Sequence, residues 1–156
     1  MTKRSAQHAT FTIERDFTAS PASVFKAFAD QKEKDKWFGG PDEWDRHERS
    51  MDFRVGGRER SSGGPKGGEP HSFDAYYWDI VPNERIVYTY DMHLGDKRIS
   101  VSLATIEFKP KGSGTHLVLT EQGVFLDGYD DAGSREEGTR WLLGKLDVSL
   151  EGESLS

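Results

Sequence analysis

Residues 130–151 read DDAGSREEGTRWLLGKLDVSLE, and this stretch decides the fold. Leu142, Leu143, Leu146 and Leu150 recur at helical spacing and form a single apolar stripe, so the segment from Asp130 to about Glu151 is predicted to be an α-helix about 30 Å long. One stripe cannot shield itself from water, so the rest of the chain has to supply a surface that covers it.

Working back from the helix, that surface is a run of strands. HSFDAYYWDIV, ERIVYTYDMHL, RISVSLATIEFKP and THLVLTEQGVF are separated by Pro82-Asn83, Gly95-Asp96 and Gly112-Ser113-Gly114, all turn chemistry, which gives an antiparallel meander. From Glu48 two shorter strands are expected to turn at Gly56-Gly57, followed by a solvated loop over residues 63–68, GGPKGG. At the other end TFTIERDFT, residues 10–18, puts Phe11, Ile13, Arg15 and Phe17 on one side, the period of two of a half-buried strand. Ser20-Pro21 then starts a helix to Ala29, and Asp30 caps a second short one running through Lys36. This is an α+β domain: a strand, two short helices, a six-strand antiparallel run and a long C-terminal helix held by a curved sheet. Residues 10–151 are read as a single domain, with 1–9 and 152–156 as flexible termini.

Composition narrows the function. The chain has 156 residues, 12% aromatic, with a net charge of −6 and no cysteine. Basic residues cluster on no face, which argues against a nucleic-acid partner. The lack of cysteine removes disulfides, thiolate catalysis and Cys-ligated zinc. No eighteen-residue apolar run occurs, so membrane insertion is not expected, and a cytoplasmic location is. His47-Glu48 is followed by Arg49, Ser50 and Met51, so the zinc-protease pattern fails; dinucleotide, P-loop and nucleophile-elbow patterns are also missing. Neither a metal nor a cofactor is expected.

ASPASVFKAFAD followed by KWFGG, then MDFRVGGRERSS, DIVPNERIVYTY, TIEFKPKGSGTHLVLTEQGVF and GTRWLLGKL, in this order, resemble the homologues of the activator of heat-shock protein 90 ATPase, within the START-like (SRPBCC) superfamily. The resemblance covers residues 10 to about 150. It implies a helix-grip fold and a hydrophobic pocket between the sheet and the C-terminal helix, rimmed by the two short helices and nearby loops. Under it Trp37 and Phe38 either line the entrance, Gly39 and Gly40 letting the chain turn away, or are plain core beneath the short helices.

Strand alternation, registered on that pattern, sends Ile86, Tyr88, Tyr90 and Met92 to one face, and likewise Ala104, Ile106 and Phe108, and Leu117, Leu119 and Glu121. The pocket candidates are Trp37, Phe38, Tyr77, Ile86, Tyr88, Tyr90, Ala104, Ile106, Leu119, Glu121, Trp141 and Leu142. Each tyrosine suits a polar-ended ligand or a core with its hydroxyl satisfied. Trp141 either walls the pocket or staples the helix to the sheet, with core the favoured reading. Gly138 costs the helix about 1 kcal/mol relative to alanine, which fits a close approach of ligand or strand, or a frayed first turn.

Glu121 continues an apolar row, where relatives look to have histidine, and a buried carboxylate costs several kcal/mol unless protonated, paired or wet. It is read as a polar anchor or a general base within the pocket or, the favoured reading, as a strand-end residue that is either solvated or paired with Arg140 or Lys145. His93 is an outside candidate. No residue is assigned a catalytic role. The leading expectation is a binding module for a hydrophobic or amphipathic small molecule. A polyketide cyclase/dehydratase-like enzyme using Glu121 as acid/base is the alternative, and a chaperone ATPase cofactor comes third, a chaperone interaction not being expected of a chain about one domain long. Exposed strands or aromatics are compatible with a homodimer.

Overall fold

The computed structural model describes residues 4–154. The chain runs through strand β1 (Ala6–Phe17), helices α1 (Pro21–Ala29) and α2 (Gln31–Lys34), strands β2 (Asp45–Met51), β3 (Arg58–Gly64), β4 (His71–Val81), β5 (Arg85–Leu94), β6 (Lys97–Lys111) and β7 (Gly114–Leu126), and helix α3 (Ala132–Ser154). The seven strands form one antiparallel sheet in the order β1-β7-β6-β5-β4-β3-β2. β1 therefore joins the far end of the meander, with Ile13 opposite Leu119. This is the helix-grip architecture.

Local chemistry accounts for the boundaries. Ser20 caps α1 by accepting from the Ser23 N–H, with Pro21 at the first helical position. Asp30 caps α2 through the N–H groups of Lys32 and Glu33. α2 ends at Lys34, two residues short of the expected end, and the chain passes through turns to Trp37. β1 starts at Ala6, so residues 6–9, expected in a flexible terminus, are paired with β7. Residues 1–3 and 155–156 lie outside the described residues. The hairpin between β2 and β3 turns where expected, and Gly56 takes φ +85° there. Gly57 is needed for space: a Cβ would lie 2.0 Å from the Asp52 carbonyl oxygen. Gly63 and Gly64 correct the reading of residues 63–68 as a loop, for both belong to β3, opposite Arg46 and Asp45.

The sheet's inner face carries Ile13, Ile86, Ile106 and Leu117, all nearly inaccessible, and α3 covers them with Leu143, Leu146 and Leu150. Each such side chain is worth about 1.5–3 kcal/mol of burial. α1 adds Phe25 and Phe28, both edge-on to Phe108 at 5.4 and 5.6 Å. Arg15 joins sheet to helix by donating to Asp147 at 3.0 Å. Among the described residues no helix is long and apolar enough to cross a membrane.

Candidate functional site

The core fills only one end of the space between sheet and helix. At the other, beside the first half of α3, lies a cavity of about 530 Å³. Its walls come from α2 and the following loop, the β2–β3 hairpin, the inner faces of β4, β5 and β7, and α3. Asp45, Arg46, Glu48 and Trp141 are exposed lining residues and mark where the cavity meets solvent.

The two aromatics after α2 divide the roles expected of them. Trp37 is 3% exposed, donates its indole N–H to the Ala27 carbonyl at 3.0 Å and packs edge-on to Phe28 at 4.9 Å. It is core that also reaches the cavity. Phe38 is half-buried and forms cavity wall, edge-on to Phe73 at 5.0 Å. Gly39 takes φ +137°, and a Cβ on Gly40 would lie 2.4 Å from the Trp44 ring. The glycine pair turns the chain so that Trp44 can stack on His71, ring centroids 4.7 Å apart.

Tyr88, Tyr90, Leu119, Glu121, Trp141 and Leu142 also line the cavity. Four candidates do not: Tyr77, Ile86 and Ile106 are packed in the main core, and Ala104 lies in a smaller cluster with Ala75 and Tyr90. Strand alternation gives the face of the sheet but not the position along it: Tyr77, Ile86 and Ile106 share the main core with α1 and the later leucines of α3, and Ala104 is packed among Ala75, Tyr90 and their neighbours. Trp141 is 47% exposed, with the Lys145 ammonium 4.6 Å above its ring, so it is a rim residue and not core. Gly138 lines the cavity with nothing within 4 Å of a Cβ, so no strand approaches it. His93 lies outside the lining, 3.7 Å from Asp91.

Glu121 overturns the favoured expectation. It is 3% exposed, and its neighbour on α3 is Arg135, with a nitrogen at 3.5 Å. Arg140 instead pairs with Glu136 on the helix surface. The Tyr90 hydroxyl sits 2.8 Å from both carboxylate oxygens and donates to them, while accepting from Arg135 Nη1 at 3.0 Å. Arg135 Nη2 donates to Ser100 at 2.7 Å and to Asp130 at 2.8 Å. Burial pushes the Glu121 carboxyl above its ordinary value, more than Tyr90, Arg135 and the Ser102 hydroxyl pull it down. Burial, with the carboxylate beside it, raises the Tyr90 hydroxyl as well.

A second buried cluster lies against the other side of the cavity. Glu59 is 1% exposed and accepts from Lys34 Nζ and Arg49 Nη1, each at 2.7 Å, and from the Tyr77 hydroxyl. Arg49 also donates to Asp35 at 2.7 Å, and the Lys34 ammonium lies 4.4 Å over the Phe38 ring. Burial alone would raise the Glu59 carboxyl, but Lys34, Tyr77 and Arg49 outweigh it and hold it below the usual carboxylate range.

Sequence reasoning missed Lys34, Arg49, Glu59 and Arg135. A signal existed for Arg135: positions 135, 139, 143, 146 and 150 continue the leucine stripe toward the start of α3, whereas 140 falls off it. For Lys34 and Glu59, 25 residues apart in different elements, no periodicity connects the two.

The sequence matches the family described as Activator of Hsp90 ATPase homolog 1-like protein over residues 18–151. Among solved structures it is similar to an uncharacterized protein from Rhizobium leguminosarum at 48% identity, covering 96% of this chain and 99% of that one with a TM-score of 0.91. The Mll3558 protein from Rhizobium loti is also 48% identical, with 93% and 99% covered and a TM-score of 0.87. An AHSA1-like protein from Aeromonas hydrophila is 17% identical, with 95% and 96% covered; its TM-score of 0.74 supports the shared fold. No curated protein matches. With a family match across most of its length and a sheet that grips a C-terminal helix, the chain belongs to the Activator of Hsp90 ATPase homolog 1-like family.

Proposed function

We propose that the protein binds a hydrophobic or amphipathic small molecule in the cavity between its sheet and α3. One observation carries this reading: the inner face stays unfilled beside the first half of α3, leaving about 530 Å³ walled by Phe38, Phe73, Tyr88, Leu119 and Leu142. That volume is within the range of small-molecule sites, roughly 300–1,000 Å³. The test is titration with a fluorescent apolar probe, followed by displacement with a panel of lipids, aromatics and polyketides. Uptake and displacement by some of the panel are expected, and Leu142→Trp, which puts an indole into the space, should abolish both. A protein that takes up no probe, or a filled variant that binds as well as the parent, would refute the reading.

The pairing of Glu121 with the Tyr90 hydroxyl at 2.8 Å favours a second reading, acid–base catalysis on a cyclisable polyketide-like substrate. Under it, turnover of such compounds is detectable and Glu121→Gln removes it, while binding without turnover leaves the first reading alone.

A further inference from the structure

The cavity reading can be taken further, to the chemistry of the ligand's buried end, because the ionised groups around the cavity are unequally satisfied. Lys34 and Arg49 are committed to Glu59 and Asp35. Arg135 is committed to Tyr90, Ser100 and Asp130. The charge of each of the three is already matched by a carboxylate, and Arg46, whose guanidinium has no ion pair among the described residues, is exposed at the mouth.

Glu121 presents the reverse situation. An ionised carboxylate has about four acceptor sites, and here the Tyr90 hydroxyl hydrogen is shared between both oxygens, with the buried Ser102 hydroxyl, which has no other partner among the described residues, the one further hydroxyl acting on it. Arg135 at 3.5 Å offers charge without a hydrogen bond. With Asp130 also bound to Arg135, two carboxylates face one guanidinium, which leaves the cluster one negative charge in excess. This carboxylate lines the cavity. A buried acceptor short of donors is costly, and a donor brought by a ligand relieves it.

We propose that the cavity selects ligands whose buried end donates a hydrogen bond to Glu121, a hydroxyl or a protonated amine carried on an aromatic or alicyclic body, over ligands that end in a carboxylate. An acid entering head-first would meet Glu121 and Asp130 with no uncommitted cation beside them. Aromatic walls at Phe38, Phe73 and Tyr88 take the body, and Glu121 takes the head.

The inference rests on the small-molecule reading, and one probe series separates the two. Naphthalene, 2-naphthylmethanol, 2-naphthylmethylamine and 2-naphthoate share a body and differ in the head. The alcohol, the amine or both are expected to bind the wild-type protein at least tenfold more tightly than naphthoate. Glu121→Gln, which keeps an acceptor but removes the charge, should retain the alcohol, weaken the amine and narrow the gap to naphthoate. A gain by the amine alone narrows the head group to a cation, and a gain by the alcohol to a neutral donor. Naphthalene uptake with naphthoate bound as tightly as both donors overturns the inference and leaves the cavity reading standing. No uptake of any of the four overturns both. The wild-type series decides the matter even if the variant fails to fold.

Discussion

Glu59 and Glu121 are both buried carboxylates on the inner face of one sheet, yet their surroundings differ in kind. Glu59 receives hydrogens from three separate donors, Lys34, Arg49 and Tyr77. Glu121 receives the Tyr90 hydroxyl hydrogen across both oxygens, with the Ser102 hydroxyl beside it and no cation in hydrogen-bond contact. The first is a closed knot that fastens α2 to the β2–β3 hairpin and β4. The second keeps spare acceptor capacity turned toward open space. Their carboxyl groups consequently move in opposite directions from the ordinary value, Glu59 down and Glu121 up. The lesson is that burial does not define a role for a charged residue; the count of donors around it does.

The strongest way to break this comparison is Glu59→Ala. It strands a buried lysine, an arginine and a tyrosine hydroxyl together, and a loss of about 3–5 kcal/mol is expected in a denaturant melt. Lys34→Met should cost less, about 1–3 kcal/mol, because Arg49 and Tyr77 still serve Glu59. A Glu59→Ala loss under about 1 kcal/mol would show that the knot does not hold α2 in place.

Glu121→Gln should stay within about 1 kcal/mol of the parent at neutral pH, its main effect falling on ligand affinity. Acid sharpens the contrast. A carboxyl raised on folding contributes stability that is present below its unfolded pKa, near 4.3, and lost as pH rises through the folded value. Lowering the pH from neutrality should therefore improve the parent relative to Glu121→Gln. For Glu59, lowered on folding, the sign reverses: its contribution is present above the unfolded pKa and lost as pH falls through the folded value. Melts of the parent, Glu121→Gln and Glu59→Gln across this range check both signs, and parallel curves would refute the assignment.

Smaller effects are expected on α3. Gly138 and Gly144 both have free space where a Cβ would sit. Alanine at either should stabilise the protein by about 0.5–1 kcal/mol. Only Gly138 lines the cavity, so only Gly138→Ala should also change probe affinity. The smallest effect is at the surface. Hydrogen bonds to Asp16 and Glu14 raise the His116 imidazole above its ordinary value. Its contribution is present below the unfolded pKa, near 6.5, and lost as pH rises through the folded one, which an NMR titration of the ring should show as a raised midpoint.

The fold was readable because its signals are local: Ser20-Pro21, Gly56-Gly57 and the leucines of α3 each act within a few residues. Alternation also placed Glu121 on the inner face. What it could not supply was position along that face, so Tyr77, Ile86, Ala104 and Ile106 were expected in the cavity and stand in packed cores. Where Glu121 is expected to be paired, Arg140 or Lys145 is named for it, although Arg135 is the one in phase with Leu143 and Leu146. The Glu59 knot joins α2, a hairpin and a central strand, and contacts of that range leave no repeat in a sequence.

The pairing of β1 with β7 has a consequence in time. Its partners, from Ala6 with Leu126 to Phe17 with Thr115, are about a hundred residues apart. As the polypeptide leaves the ribosome, Phe11, Ile13 and Phe17 emerge about a hundred residues ahead of the strand that pairs with theirs. Closing so long a loop slows folding and lengthens the interval in which sticky surface is bare. Newly made chains of this protein therefore depend on late zippering at the sheet's edge, and conditions that delay it should favour clumping of the nascent product over loss of the finished one.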